Sequence, residues 1–106
     1  QLWYLTDPDT YGRINQTHAD FLGHPREKVE NRTLDCFLPS DVAAEYRESN
    51  QLAFSQRRPL TTTHWLPDAK GRLRLLEITK SPRLSQLGDV DCVVCSAMDI
   101  TLRHRT

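Results

Sequence analysis

The most constraining feature of the sequence is a central stretch, WLPDAKGRLRLLEITKSP, in which two apolar runs flank a cluster of turn-forming residues. Pro67, Asp68 and Gly71 are residues typical of turns, and the flanking runs have neither the caps nor the apolar spacing of helices. The sequence therefore predicts a β-hairpin, with strands over Leu60–Leu66 and Leu73–Thr79.

The second strand of this hairpin carries large apolar side chains on both of its faces. Leu75 and Leu76 are adjacent, with Leu73 before them and Ile78 after them. A strand in a sheet with one solvated face would instead alternate apolar with polar residues. Both faces of the sheet therefore need cover. Helices of the same chain can cover one face, which leaves the other for a neighbouring segment or another subunit.

The size and charge of the chain exclude several classes of protein. Its 106 residues fit one domain, and 14 basic residues balance 14 acidic ones. Without a net positive field, binding to nucleic acid or to an anionic membrane is disfavoured. No apolar run is long enough to span a bilayer, and the first residues do not resemble a signal peptide. We expect a soluble, cytoplasmic module cut from a longer polypeptide.

The three cysteines favour a reducing environment and no metal. Cys36, Cys92 and Cys95 form an odd set in a domain that needs no covalent cross-link, so reduced thiols are expected. Residues three apart in a strand point to opposite faces, so Cys92 and Cys95 are interpreted as small buried residues rather than a redox pair. No second pair of Cys or His has metal-binding spacing, and no metal site is predicted.

Turn and capping signals predict the other elements, which together give an α+β order. They are a strand over Leu2–Thr6, a return strand over Tyr11–Ile14, a short helix capped by Asn15, irregular helix up to Pro39, a long helix over Asp41–Gln56 capped by Ser40, a polar loop over Arg83–Asp89, and a last strand over Val90–Ile100. Asn50 follows Tyr46 by four residues on the inward stripe of the long helix, so a polar group should enter the interior.

Three fragments, TDPDTYGRINQTHADFLGHP, KGRLRLLEITKSP and VVCSAMDIT, resemble PAS domains, the sensory box domains (PAS-PAC type) of signal-transduction proteins. They occur in the order and at the spacing of that family. The resemblance implies a PAS fold, with a five-stranded antiparallel sheet in the order 2-1-5-4-3 and helices over one face enclosing a small cavity. It also implies a sensor domain over residues 1–101, with residues 102–106 starting a linker to an effector domain.

The flavin-binding branch of the family aligns without gaps with residues 71–82, and this alignment implies which side chains point inward. The inward set is Thr62, His64, Leu66, Leu76, Ile78, Val93, Cys95 and Ala97, and the outward set is Trp65, Leu73, Leu75, Val94 and Met98. A monomer would not leave such a large apolar patch exposed to water. We therefore expect an interface on the outer face, most simply that of a homodimer.

Comparison with the family's cofactor motifs disfavours two known cofactors. Cys36 lies where the flavin motif has its Arg rather than its reactive Cys, and Leu76 replaces the Asn that would bond flavin. Covalent flavin photochemistry is therefore not expected. The long helix contains no His to serve as the axial haem ligand, and His18 and His24 are interpreted as surface or capping residues. The cofactor, if there is one, stays unknown.

The inward polar residues of the long helix and the sheet are the candidates for a ligand site. The candidate ligand-binding residues are Tyr46, Asn50, Thr62, His64, Leu76, Ile78, Cys95 and Ala97. Such a set would line a small, mostly apolar pocket. The alternative is that the polar groups are satisfied by protein partners inside the core and that no ligand binds.

The function implied by the resemblance is that of a sensory domain in a bacterial two-component or related signalling protein. Its effector would be a histidine kinase, a diguanylate cyclase or a transcription regulator, with Asp99, Ile100 and Thr101 passing the signal to the linker. The domain itself is expected to be non-catalytic, since it has no nucleophile motif and no phosphate-binding glycine loop. A ligand-free dimerisation spacer is the alternative.

Overall fold

A computed structural model describes residues 1–105 of the chain. In chain order, the elements are β1 (Leu2–Asp7), β2 (Thr10–Ile14), α1 (Gln16–Leu22), α2 (Arg26–Val29), a 3-10 helix (Leu34–Cys36), α3 (Ser40–Gln56), β3 (Leu60–Pro67), β4 (Leu73–Leu84), β5 (Val90–Asp99) and α4 (Thr101–Arg105). None of these helices is long and apolar enough to cross a membrane.

The five strands form one antiparallel sheet in the order β2-β1-β5-β4-β3, which confirms the predicted PAS fold. β5 lies between β1 and β4, with Val93 opposite Leu5 and Ala97 opposite Ile78. The central hairpin is formed as predicted, and its register places His64 opposite Leu76.

β4 is longer than the sequence predicted, because it continues past Thr79 to Leu84, the second residue of the expected loop. Pro82 lies within this extension and faces Val93 of β5. β3 begins at Leu60, which is opposite Lys80, so the rest of β4 has no β3 neighbour. A proline, which cannot donate a backbone hydrogen bond, is tolerated at such an edge.

The hydrophobic core lies between the helices and one face of the sheet. Its buried strand residues alternate along the central strands; they include Trp3, Leu5, Leu76, Ile78, Val93 and Cys95. α3 crosses this face and buries Ala43, Tyr46, Ser49, Asn50 and Ala53. Because most of these helix residues are small, α3 can pack closely on the sheet, and Asn50 enters the interior as predicted.

The cap of α1 agrees with the one predicted from the sequence, whereas the cap of α3 differs from the prediction. Asn15 Oδ1 accepts a hydrogen bond from His18 N at 2.9 Å, so Asn15 caps α1 as predicted. α3 begins at Ser40 rather than Asp41, and no side chain caps it. Ser40 is inside the helix because the carbonyl of Pro39 already accepts from Ala43 N at 2.8 Å.

The chain leaves the sheet beside Leu75 of β4. Ile100 N donates to Leu75 O at 2.9 Å, and Leu75 N donates to Thr101 Oγ1 at the same distance. α4 follows at once, so the segment predicted as a linker, residues 102–106, is helical up to Arg105, while Thr106 lies outside the described residues.

Asn15→Ala should destabilise the fold by about 1 to 2 kcal/mol, because it removes the cap of α1 and the bond from Leu2 N to Asn15 Oδ1. Urea unfolding measures this free energy. Thr17→Ala, which changes an exposed residue in the first turn of the same helix, is the matched control and should cost almost nothing. Equal losses in the two variants would contradict the capping role.

Candidate functional site

The structure brings the predicted ligand-site residues together between α3 and the inner face of the sheet. Tyr46 and Asn50 come from α3, and Thr62 and His64 come from the facing strand β3. The sheet contributes the apolar members of the set, namely Leu76, Ile78, Cys95 and Ala97. Ala97 and Thr62 are half-buried, and the other members are buried. We refer to this region as the interior site.

His64 is bonded through both of its ring nitrogens. Nδ1 lies 3.3 Å from Glu45 Oε1, which can only accept, so Nδ1 carries the proton. Nε2 lies 2.8 Å from Thr62 Oγ1 and 3.4 Å from Ser49 Oγ. Burial and the positive charge of Lys80 lower the pKa of His64, although Glu45 acts in the opposite direction. His64 is therefore a neutral, fixed part of the wall at pH 7.

Two polar atoms of the interior site lack a hydrogen-bond partner within residues 1–105. They are Tyr46 Oη and Asn50 Oδ1, and both are buried. Asn50 Nδ2 donates to the carbonyl of Pro8 at 2.9 Å, which fixes the amide and leaves Oδ1 as a free acceptor. Burial raises the pKa of Tyr46 well above its usual value, so its hydroxyl stays protonated. Trp3 Nε1 is also buried without a partner and lies close enough to the Tyr46 hydroxyl to act on its pKa, so Asn50 Oδ1 is the more isolated of the two atoms.

Lys80 is a member of the interior site that the sequence analysis missed. Its side chain is fully buried, Nζ donates to Ser49 Oγ, and Nζ lies 4.4 Å from the centre of the Tyr46 ring. Burial lowers the pKa of Lys80 to about 8. The period of two along β4 could have found it, because Leu76, Ile78 and Lys80 share one face.

His18 is buried, so its interpretation as a surface histidine is wrong. Its ring stacks on Trp3 with 3.9 Å between ring centres, and Nδ1 lies 2.8 Å from Gln1 Oε1. α1 lies directly on β1, and this packing removes the ring from water. Burial, with a smaller effect of the terminal amine, lowers the pKa of His18 to about 3. His24, in contrast, is exposed as expected.

The residues predicted to pass the signal form one hydrogen-bonded cluster at the end of β5. Asp99 Oδ2 accepts from Arg74 Nε at 2.8 Å, and Oδ1 accepts from Thr101 N at 3.0 Å and from Thr101 Oγ1 at 2.6 Å. Partial burial pushes the pKa of Asp99 up, but the bonds from Arg74 and Thr101 outweigh it and lower the pKa to about 2. Ile100 is half-buried between them.

The predicted interface residues lie on the outer face, with one difference. Trp65, Leu73 and Met98 are 42%, 57% and 59% exposed, and Val94 is half-buried. Leu75 is buried instead, because the chain turns back over it at the start of α4. It is therefore not available to a partner while α4 is in place. Trp65 also meets the ring of His104 on α4, with 5.4 Å between ring centres.

Comparison with known proteins gives one family match and several structural neighbours. Residues 1–105 match the family model described as the PAS fold. The PAS domain of Bordetella pertussis BvgS has a TM-score of 0.81 and 18% identity, over 98% of this chain and 79% of that one. The PAS domain of the Cronobacter turicensis quorum-sensing receptor RpfR, in complex with BDSF, has a TM-score of 0.75 and 18% identity, over 94% and 92%.

A third neighbour is the Vibrio cholerae VqmA dimer, with a TM-score of 0.78 and 19% identity over 97% of this chain and 48% of that one. The chain thus spans about half the length of VqmA. At these identities the neighbours show a shared fold and nothing more. Comparison with curated protein sequences gives no significant match.

Stability should fall below pH 6.5 because of His18. In the unfolded chain the His18 ring binds a proton near pH 6.5, whereas in the folded chain it binds one only near pH 3. Acid therefore favours the unfolded state between these two pH values. Between pH 6.5 and 5, the parent should lose about 1.5 kcal/mol more than His18→Phe, which keeps an aromatic ring against Trp3.

Urea unfolding at a series of pH values tests this expectation. His24→Phe, which replaces the exposed histidine of the same region, should follow the parent curve. The buried His18 is not the cause if the parent and His18→Phe lose stability in parallel.

Proposed function

Because the chain belongs to the PAS fold family, whose members are generally non-catalytic sensory modules, we propose that it is the sensory domain of a multidomain signalling protein. The observation that carries this proposal is the pair of oriented, unpartnered polar atoms in the interior site, Tyr46 Oη and Asn50 Oδ1. Among the described residues, Trp3 Nε1 and His18 Nε2 are also buried without a partner, but the atoms of Tyr46 and Asn50 are the two that belong to the interior site.

In this proposal a small molecule binds between α3 and the inner face of the sheet. The apolar walls formed by Leu76, Ile78 and Ala97 hold its body, and the polar atoms of Tyr46 and Asn50 orient it, as in most small-molecule sites. BDSF bound to the RpfR PAS domain is a precedent for ligand binding by this fold.

The signal would leave through the hydrogen-bonded cluster of Asp99, Arg74 and Thr101. β5 and β4 form much of the inner face that contacts the ligand, and the same two strands carry this cluster at their far end. A shift between β4 and β5 would therefore change how α4 is held. We place a histidine kinase or diguanylate cyclase type of effector after α4, and the whole protein in the bacterial cytoplasm, where the free thiols of Cys36, Cys92 and Cys95 would persist.

The outer face would mediate pairing of two copies. This face exposes three large apolar side chains to water, those of Trp65, Leu73 and Met98. Exposed apolar patches of this kind often mark sites of protein–protein contact. VqmA, one of the structural neighbours, is a dimer, which makes a homodimer the simplest partner.

The ligand-free dimerisation spacer is the second candidate function. It is favoured by His64, whose two ring nitrogens already have protein partners, and by Asn50 Nδ2, which is bonded to Pro8. In that case the interior site would be a core with two imperfectly satisfied atoms.

Native mass spectrometry of the purified chain distinguishes the two functions. A sensor should carry a copurified molecule, or gain thermal stability with at least one small molecule from a metabolite library. Tyr46→Phe should weaken that effect, because it removes one oriented hydroxyl and little volume. A chain that binds nothing in either experiment would favour the spacer.

Trp65→Glu should weaken self-association at least tenfold, because burying a tryptophan side chain contributes roughly 1.5 to 3 kcal/mol at an interface. Sedimentation velocity over a range of concentrations measures the dissociation constant. Leu87→Glu, which changes an apolar residue that is 89% exposed in the turn before β5, is the matched control. A monomeric parent, or a dimer equally sensitive to both changes, would count against pairing through the outer face.

Asp99→Ala should release α4 while leaving the interior site folded. The change removes the acceptor of Arg74 and Thr101, and amide exchange at Leu75 and Thr101 should become roughly ten times faster. Asp91→Ala, an exposed aspartate in the same strand, is the control. If amide exchange at Leu75 and Thr101 is unchanged, Asp99 does not hold α4 and has no role in passing the signal. If amides throughout the domain lose protection, Asp99 instead stabilises the whole fold.

A further inference from the structure

Lys80 is a fully buried amine without a carboxylate partner. Within residues 1–105 no salt bridge reaches it, and its contacts are Ser49 Oγ and the face of the Tyr46 ring. Moving an ammonium group out of water is costly unless a negative charge or several hydrogen bonds replace the lost hydration. An ammonium has three donors, and the neutral Ser49 hydroxyl occupies one of them.

The titratable groups that face Lys80 supply no negative charge. Tyr46 of α3 and Cys95 of β5 are both kept protonated by burial, which raises the pKa of Cys95 to about 12. His64 of β3 is neutral or positive, never negative. The carboxylate of Glu45 contacts His64 on the solvent side and is 66% exposed. With its pKa lowered to about 8, Lys80 is still mostly protonated at pH 7, so the site holds a positive charge that nothing in the described chain balances.

The two unpartnered polar atoms of the interior site set further conditions on which molecule could balance this charge. The Tyr46 hydroxyl can donate to an anion, whereas Asn50 Oδ1 can only accept, since its amide nitrogen is committed to Pro8. The amine lies over the Tyr46 ring and donates to Ser49, and Asn50 follows Ser49 on the same helix, so a molecule of a few carbons bound at the amine could reach from Lys80 to Asn50. A matching molecule carries both a negative oxygen and a hydrogen-bond donor.

We propose that the interior site binds a small hydroxycarboxylate, whose carboxylate pairs with Lys80 and whose hydroxyl donates to Asn50 Oδ1. This inference rests on the proposed sensory function and names the class of ligand for it. Tyr46 Oη donates to the second carboxylate oxygen, and Leu76 and Ile78 contact the apolar carbons. The flexible stem of Lys80 can move to admit the molecule, since lysine has four rotatable side-chain bonds.

The test uses three small probes of similar shape: 3-hydroxybutyrate, butyrate, and the neutral 3-hydroxybutyramide. Isothermal titration calorimetry on the 106-residue chain at pH 7 should rank 3-hydroxybutyrate above butyrate and both above the amide. Lys80→Met should weaken 3-hydroxybutyrate binding by about tenfold or more, because a hydrogen bond to a charged group is lost. Lys70→Met, which removes an exposed lysine, should leave the affinity unchanged.

The pH dependence of binding by the parent protein gives a second readout that needs no variant. The carboxylate requires protonated Lys80, so its affinity should be constant below about pH 8 and fall roughly tenfold per pH unit above it. The affinity of the neutral 3-hydroxybutyramide should show no such fall. This profile keeps the proposal testable even if Lys80→Met does not fold.

The outcomes separate this inference from the proposed function. If the neutral amide binds as well as the carboxylate, and Lys80→Met changes neither, the domain still binds small molecules but the hydroxycarboxylate assignment is overturned. If none of the three probes binds the parent, the assignment is also overturned, while a copurified molecule in native mass spectrometry would leave the sensory function standing.

Discussion

The pairing of the last strand between the first and the fourth holds this domain together. β1 and β2 form one hairpin and β3 and β4 another, and β5 bonds to both through β1 and β4. An isolated two-stranded hairpin is at best marginally stable in water. The inner face against which α3 packs therefore exists only once β5 is in place, and its formation joins residues that are about ninety positions apart in sequence.

The same arrangement explains why several polar side chains lie together in the interior of the domain. The buried residues on the inner face of β4 and β5 are apolar except for Lys80, and α3 packs Tyr46, Ser49 and Asn50 against them. Each of these polar groups is positioned by a regular element rather than by a loop, so their mutual geometry is fixed by helix and strand periodicity. As proposed, the site would therefore select its ligand without any catalytic apparatus.

Much of the fold could be predicted from the sequence, because strand alternation and turn residues are local signals. The central hairpin, the cap at Asn15 and the inward position of Asn50 all follow from spacing. Lys80 was missed because lysine and the nearby Pro82 ended the apolar pattern, although β4 continues past both. His18 was misjudged because its burial depends on α1 lying against β1, a long-range contact that no local pattern encodes. Leu75 is covered for a similar reason, since the residues that hide it follow it by about twenty-five positions.

The hydrogen bonds around His64 connect the interior to bulk solvent. Exposed Glu45 accepts from His64 Nδ1, His64 Nε2 lies 3.4 Å from Ser49 Oγ, and Ser49 accepts from Lys80. A proton can travel along such a series of partners without the core opening, once the Ser49 hydroxyl rotates from the Tyr46 carbonyl, to which it donates at 3.1 Å, toward His64. The ionisation of the buried amine would then equilibrate at the speed of side-chain rotations, and its charge would follow the acidity of the surroundings even while the backbone stays closed.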